Sequence, residues 1–114
     1  MKIEDIVKLL NAKVITGTGK LDEEVLYGFA SDLLSDVLTV DREQLLLLTG
    51  MANLQAIRTA EMSEIICIVF VRDKKMTPEM IELATDNSIV TIETPFSLFR
   101  TISVLHDNGL QPVF

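Results

Sequence analysis

Ile3, Ile6, Val7 and Leu10 recur at the i, i+3, i+4, i+7 spacing of an amphipathic helix, with Glu4, Asp5 and Lys8 pointing away, and the pattern predicts a helix ending near Asn11. Val14-Ile15 reads as a short strand running into the turn Thr16-Gly17-Thr18-Gly19, and Val25 to Phe29 as a second strand. Ser31 or Asp32 can cap a short helix over Leu33 to Leu38, because either side chain can accept a bond from the free amides of a first turn. Leu45-Leu46-Leu47-Leu48 is too short for a stable helix of its own and meets Thr49-Gly50 at once, which suits a strand buried on both faces.

From there the pattern alternates. It predicts a helix from about Asn53 to Glu61, a strand Ile65 to Val71, a helix from Thr77 to about Asp86, a strand Ile89 to Ile92 and a last helix from Thr94 to His106. Such a βαβαβα run implies parallel strands joined by right-handed crossovers, hence an α/β fold with a mostly parallel sheet and helices on its faces. Thr77-Pro78-Glu79 and Thr94-Pro95 read as matching helix starts, Thr as N-cap and Pro first in the helix. Asn108-Gly109-Leu110 followed by Pro112 reads as the stop, with Gly109 free to turn left-handed and Leu110 packing back. The tail Gln111 to Phe114 is left loose or docked on a neighbour. No linker or repeat interrupts the pattern, so residues 1–114 are expected to form one domain.

Composition narrows the classes. A chain of 114 residues with 48% hydrophobic and 24% charged positions builds one core, and with no Trp and one Tyr that core is aliphatic. A net charge of −7 repels phosphate backbones and aromatic platforms for bases are lacking, so nucleic acid is not an expected partner. The start Met1 to Asp5 lacks a signal-peptide pattern and the longest apolar run, Ile65 to Val71, is far short of a membrane span, which together give a cytoplasmic expectation without a membrane partner. Cys67 is the single cysteine, leaving no intrachain disulfide and no multi-cysteine zinc site, and its apolar surroundings mark it as a buried, inert thiol.

In an open parallel sheet, ligands bind beyond the carboxyl ends of the strands. Three such ends are legible: Thr49-Gly50 through Asn53, Arg72-Asp73-Lys74-Lys75, and Glu93-Thr94. A glycine turn, helix N-terminal amides and three cations suit a small anion such as a phosphate or carboxylate, with Thr49, Gly50, Asn53, Arg72 and Thr94 as candidate ligand-binding residues. The same features also describe plain turns with N-caps and a solvated basic loop. Gly17-Thr18-Gly19-Lys20 is not a phosphate-binding loop, because Val14 and Leu21 stand where the motif needs a glycine and a Ser or Thr. His106, the single histidine, falls at a helix end where a cation-capable side chain suits the dipole. No metal-ligand cluster, paired nucleophile and base, or spaced carboxylate pair stands out, so neither a catalytic residue nor a metal or cofactor is assigned.

Ser31-Asp32-Leu33-Leu34-Ser35-Asp36-Val37, Leu46-Leu47-Leu48-Thr49-Gly50, Ile57-Arg58-Thr59-Ala60-Glu61 and Ile68-Val69-Phe70-Val71-Arg72 together carry a likeness over Tyr27 to Pro112. This stretch resembles the DRTGG domain, a family found fused to CBS domains, phosphate acetyltransferases and cobyrinic-acid-synthase-like proteins. It is also similar to stand-alone members that accompany iron-only hydrogenase components and are often labelled by analogy with the N-terminal domain of HPr kinase. Leu47-Leu48-Thr49-Gly50-Met51 keeps the Thr-Gly of the name-giving motif but lacks the preceding Asp-Arg and the second glycine. The resemblance implies a three-layer α/β domain that forms a homodimer and modulates an attached or partner enzyme, with no activity firmly assigned. The kinase label does not carry over, since the catalytic domain with its phosphate-binding loop has no counterpart.

Three functional readings follow. The first is a homodimeric regulatory or ligand-sensing domain without catalysis of its own, supported also by the aliphatic helix Ile3 to Leu10 that must be covered. The second is an enzyme or enzyme subunit acting on a phosphorylated or carboxylated metabolite at the Thr49-Gly50 edge. The third is a scaffold of a redox or hydrogenase-associated complex.

Overall fold

The four-leucine run becomes an inner strand of a six-stranded sheet in the computed structural model, which describes residues 1–114. The strands are β1 (Lys13–Thr16), β2 (Tyr27–Ala30), β3 (Leu45–Thr49), β4 (Cys67–Phe70), β5 (Val90–Glu93) and β6 (Gln111–Pro112), in the order β1-β5-β4-β3-β2-β6. All neighbours are parallel except β1, which runs antiparallel to β5. That edge is stitched by polar side chains: Thr16 Oγ1 donates to Ile89 O at 2.8 Å and lies 2.7 Å from Thr91 Oγ1, all buried. A strand with this pairing needs no crossover, so β1 escapes the parallel rule that governs the rest.

Side chains alternate across the pleat and divide the core into two layers. Leu45, Leu47, Ile68 and Phe70 face the helices α2 (Leu34–Val37), α3 (Leu54–Met62) and α4 (Pro78–Asp86). Leu46, Leu48, Cys67, Val69, Val90 and Ile92 face α1 (Ile3–Leu9) and α5 (Leu98–Asp107). Burial on both faces explains why β3 and β4 are apolar along almost their whole length instead of alternating. Each large side chain withdrawn from water here, Phe70 among them, contributes roughly 1.5–3 kcal/mol to folding.

Most predicted elements stand, and Thr77 caps α4 as expected, its Oγ1 accepting from the Met80 amide at 3.3 Å with Pro78 first in the helix. Gly109 takes a positive φ of 108° after the last helix. Four expectations need correction. Thr94-Pro95 does not start α5: Thr94 Oγ1 donates to Leu10 O at 2.7 Å, so the residue ties β5 to the end of α1, and Ser97 caps the helix instead by accepting from Arg100 N at 3.1 Å. Asp32 does not cap α2, because its carboxylate is drawn to the neighbouring strand end, while Ser31 Oγ accepts from the Leu33 amide at 3.0 Å. The apolar side of α1 needs no partner chain: Ile3, Ile6 and Leu10 are fully buried within the protein's own second layer. The tail is not loose over Gln111-Pro112, which pair with β2 as a sixth strand.

Candidate functional site

Parallel pairing fixes which loops meet. Ser31 N donates to Leu48 O at 3.1 Å, Val71 N to Thr49 O at 3.1 Å and Thr94 N to Phe70 O at 3.0 Å, so the ladder carries the ends of β2, β3, β4 and β5 to one edge. Thr49, Gly50, Arg72 and Thr94 stand on that edge as expected, and Asn53 heads α3 beside them. The expected phosphate-loop lookalike lies elsewhere: Thr18–Lys20 form a 3-10 turn after β1, at the opposite edge, where Lys20 Nζ donates to Ser88 O at 2.9 Å.

The turn after β3 is organised by a residue from β2's side. Asp32 Oδ1 accepts from the Gly50 amide at 2.7 Å and from Thr49 Oγ1 at 3.0 Å, and Thr49 Oγ1 in turn accepts from Met51 N at 3.1 Å. A carboxylate receiving two donors on one oxygen has its orientation set by the fold, and charge-assisted bonds of this kind are stronger than neutral ones. Asn53 Oδ1 accepts from Ala56 N at 3.0 Å and serves as the N-cap of α3. Thr94 has its hydroxyl committed to Leu10 O and to the Phe96 amide, the latter at 3.2 Å.

The loop after β4 carries the positive charge. Arg72 and Asp73 both sit at a φ of 57°, an uncommon conformation for residues with a side chain. It is held by Arg72 N donating to Phe96 O at 2.8 Å and Asp73 N to Thr94 O at 3.0 Å. The Arg72 side chain is exposed and forms no salt bridge. Of the three expected cations, Lys75 is committed, lying 3.5 Å from Glu93 and 3.7 Å from Asp73. Glu93 is only 8% exposed, and its Oε2 accepts from Met76 N at 2.8 Å. The edge is therefore polar with two signs: a fixed carboxylate at β2 and β3, and free cations, Arg72 and Lys74, after β4.

Sequence reasoning placed the loops, with Glu93 among them, but missed Asp32 as part of the edge. Asp32 was legible in principle, because an acid just past one parallel strand faces the amides just past the next.

A second feature lies on the layer of α1 and α5. Gly28, Ala30, Leu48, Ile102, Leu105 and Leu110 line an apolar groove between α5 and the β2 edge, with His106 at its rim. Phe99, on the first turn of α5, is 84% exposed. Cys67 is buried and the burial pushes its thiol pKa up, which suppresses the thiolate that nucleophilic chemistry needs. No group of three His, Cys, Asp or Glu side chains is placed to hold a metal ion, and no helix is long and apolar enough to cross a membrane.

The fold is similar to a solved structure of the CBS and DRTGG domains of the regulatory region of Clostridium perfringens pyrophosphatase, complexed with the activator diadenosine tetraphosphate. The TM-score is 0.75 over 98% of this chain, at 15% identity, and the chain spans 48% of that one. The likeness supports a DRTGG-like α/β fold. No protein-family model matches the chain, and no curated protein matches it.

Proposed function

We propose that the chain is a regulatory, ligand-sensing domain that binds a small anionic metabolite or nucleotide at the carboxyl edge of its sheet and acts as a pair of identical copies. The observation that carries the reading is the convergence of Thr49, Gly50, Asn53, Arg72 and Thr94 on one edge of a parallel sheet, with the Arg72 guanidinium unpaired. Crevices beyond the carboxyl ends of such strands are where α/β domains take ligands, and a free guanidinium suits phosphate or carboxylate. The shared fold with a regulatory region that is solved with a nucleotide activator adds support.

Thermal-shift titration of the whole chain with ATP, AMP and ribose 5-phosphate tests the ligand half. Binding stabilises by RT ln(1 + [L]/Kd), roughly 2.7 kcal/mol at a hundredfold excess, and the shift should shrink in Arg72→Ala. No shift with any of them favours a scaffold. For the pairing half, the occupant of the groove between α5 and β2 is a second copy, since Ile102 and Phe99 extend its apolar surface outward. Light scattering should return twice the chain mass for the native sequence and the monomer mass for Ile102→Glu, whereas a native monomer at all concentrations refutes pairing.

A further inference from the structure

We propose that Asp32 sets the class of ligand at this edge: its carboxylate takes the hydroxyl pair of a sugar while Arg72 takes the negative charge, so the ligand is a ribose-bearing phosphate. The inference rests on the ligand-sensing reading above and narrows it.

The argument begins with what the glycine turn has already spent. The Gly50 amide and the Thr49 hydroxyl, the donors that an anion would seek there, both point at Asp32 Oδ1, at 2.7 and 3.0 Å. Met51 N is committed to Thr49 Oγ1. An anion brought to this turn meets a fixed negative charge and no free donor among these groups, and like charges so close repel. The part of a ligand that lies over β2 and β3 must instead donate hydrogen bonds.

Asp32 is prepared to receive them. It is exposed, its Oδ1 is anchored by the sheet edge, and its Oδ2 has no protein partner. A carboxylate ordered before binding is a preorganised acceptor, and the two open lone-pair sites of Oδ2 suit two adjacent hydroxyls. A ribose diol on an acidic residue near a glycine turn of a parallel sheet is a known solution to this chemistry in other folds.

Charge then fixes the other end of the ligand. Adjacent strands stand about 4.8 Å apart, which puts the ends of β2 and β4 on the order of 10 Å from one another. Over that span the edge changes sign, from Asp32 to the unpaired Arg72 guanidinium, while Lys75 is neutralised by Glu93 and Asp73. A planar guanidinium grips phosphate oxygens in a bidentate fashion. A molecule with a vicinal diol at one end and a phosphate at the other satisfies both, and a bare phosphate or a dicarboxylate satisfies only one.

Calorimetric titration of the whole chain with ATP, 2′-deoxy-ATP and ribose 5-phosphate tests this. The native chain should bind ATP at least tenfold more tightly than its 2′-deoxy counterpart. Asp32→Ala should erase that ratio by weakening ATP alone, and Arg72→Ala should weaken both nucleotides while preserving it. Asp32→Asn keeps an acceptor for the Gly50 amide and serves if the alanine variant disturbs the turn. It too should lose most of the discrimination, with a smaller fall in melting temperature than Asp32→Ala. Ribose 5-phosphate binding as tightly as ATP marks a sugar phosphate, and much weaker binding marks a nucleotide; both support the diol. Equal affinity for ATP and 2′-deoxy-ATP in the native chain overturns the inference and leaves the ligand-sensing reading standing. No binding of any of the three overturns both.

Discussion

The carboxylate of Glu93, at the carboxyl end of β5, accepts the backbone amide of Met76 at 2.8 Å, and so pins the far end of the loop that carries Arg72. A buried donor left without its acceptor costs about 1–3 kcal/mol. Glu93→Ala should lower the unfolding free energy by about that amount in urea titrations. Glu93→Gln retains an acceptor and should cost less. Equal losses in the two variants would show that charge, through Lys75, matters more than the amide.

Thr101 presents the opposite situation. It is fully buried on α5, and its Oγ1 has no hydrogen-bond partner. Replacing an unsatisfied hydroxyl by a methyl removes a desolvation penalty of roughly 1–3 kcal/mol, offset in part by repacking. Thr101→Val should therefore raise stability by about 1 kcal/mol, seen as a higher melting temperature with an unchanged denaturant slope. A loss instead would mean that the hydroxyl is satisfied in solution.

How far the fold could be read depended on whether local pattern or distant partner decided each element. From Leu45 to Asp86 local signals suffice, because continuous apolar strands, Asn53 and Thr77 with Pro78 each state their role within a few residues. Thr94-Pro95 carries the same local signature as Thr77-Pro78, yet Leu10 O, 84 residues away in sequence, claims the Thr94 hydroxyl and shifts the helix start to Leu98. Asp32 fails in the same way, as its partners Gly50 and Thr49 belong to the next strand. The antiparallel setting of β1 depends on Thr16 meeting Thr91, which no local period reveals. The site was legible as a set of loops, since parallel topology alone brings them together. Its sign pattern was not, because it rests on which charges find partners.

Gly17 and Gly19 look alike in the sequence and differ in the structure. Gly17 has a φ of +84°, and a Cβ there would lie 2.7 Å from Val90 Cγ2 and 2.9 Å from Val90 Cα. A side chain in that conformation costs roughly 1–2 kcal/mol before the backbone clash is counted. Gly17→Ala should lose more than that in unfolding free energy and weaken the β1 edge first in amide hydrogen exchange. A Cβ at Gly19 meets nothing within 4 Å and its φ is not positive. Gly19→Ala should be neutral or stabilise by up to about 1 kcal/mol, through the lower entropy of the unfolded chain.

Cys67 gives a dependence on pH whose sign can be worked out. Full burial pushes the thiol pKa up, far above the ordinary thiol value of about 8.5, so the folded chain holds this proton after the unfolded chain has released it. Below about pH 8.5 both states are protonated and the thiol contributes no slope. Above it the unfolded state binds fewer protons, and stability falls by about 1.4 kcal/mol per pH unit on account of this one group. The informative quantity is a difference between chains that share every other group. Cys67→Ala leaves a cavity and should be less stable near pH 7, yet its unfolding free energy should decline less steeply between pH 8.5 and 10, so that the two curves converge. Alkylation by iodoacetamide should follow the same logic, proceeding in the native chain only through opening and rising with urea. Parallel stability curves, or native-state alkylation at the rate of a free thiol, would place Cys67 in contact with water.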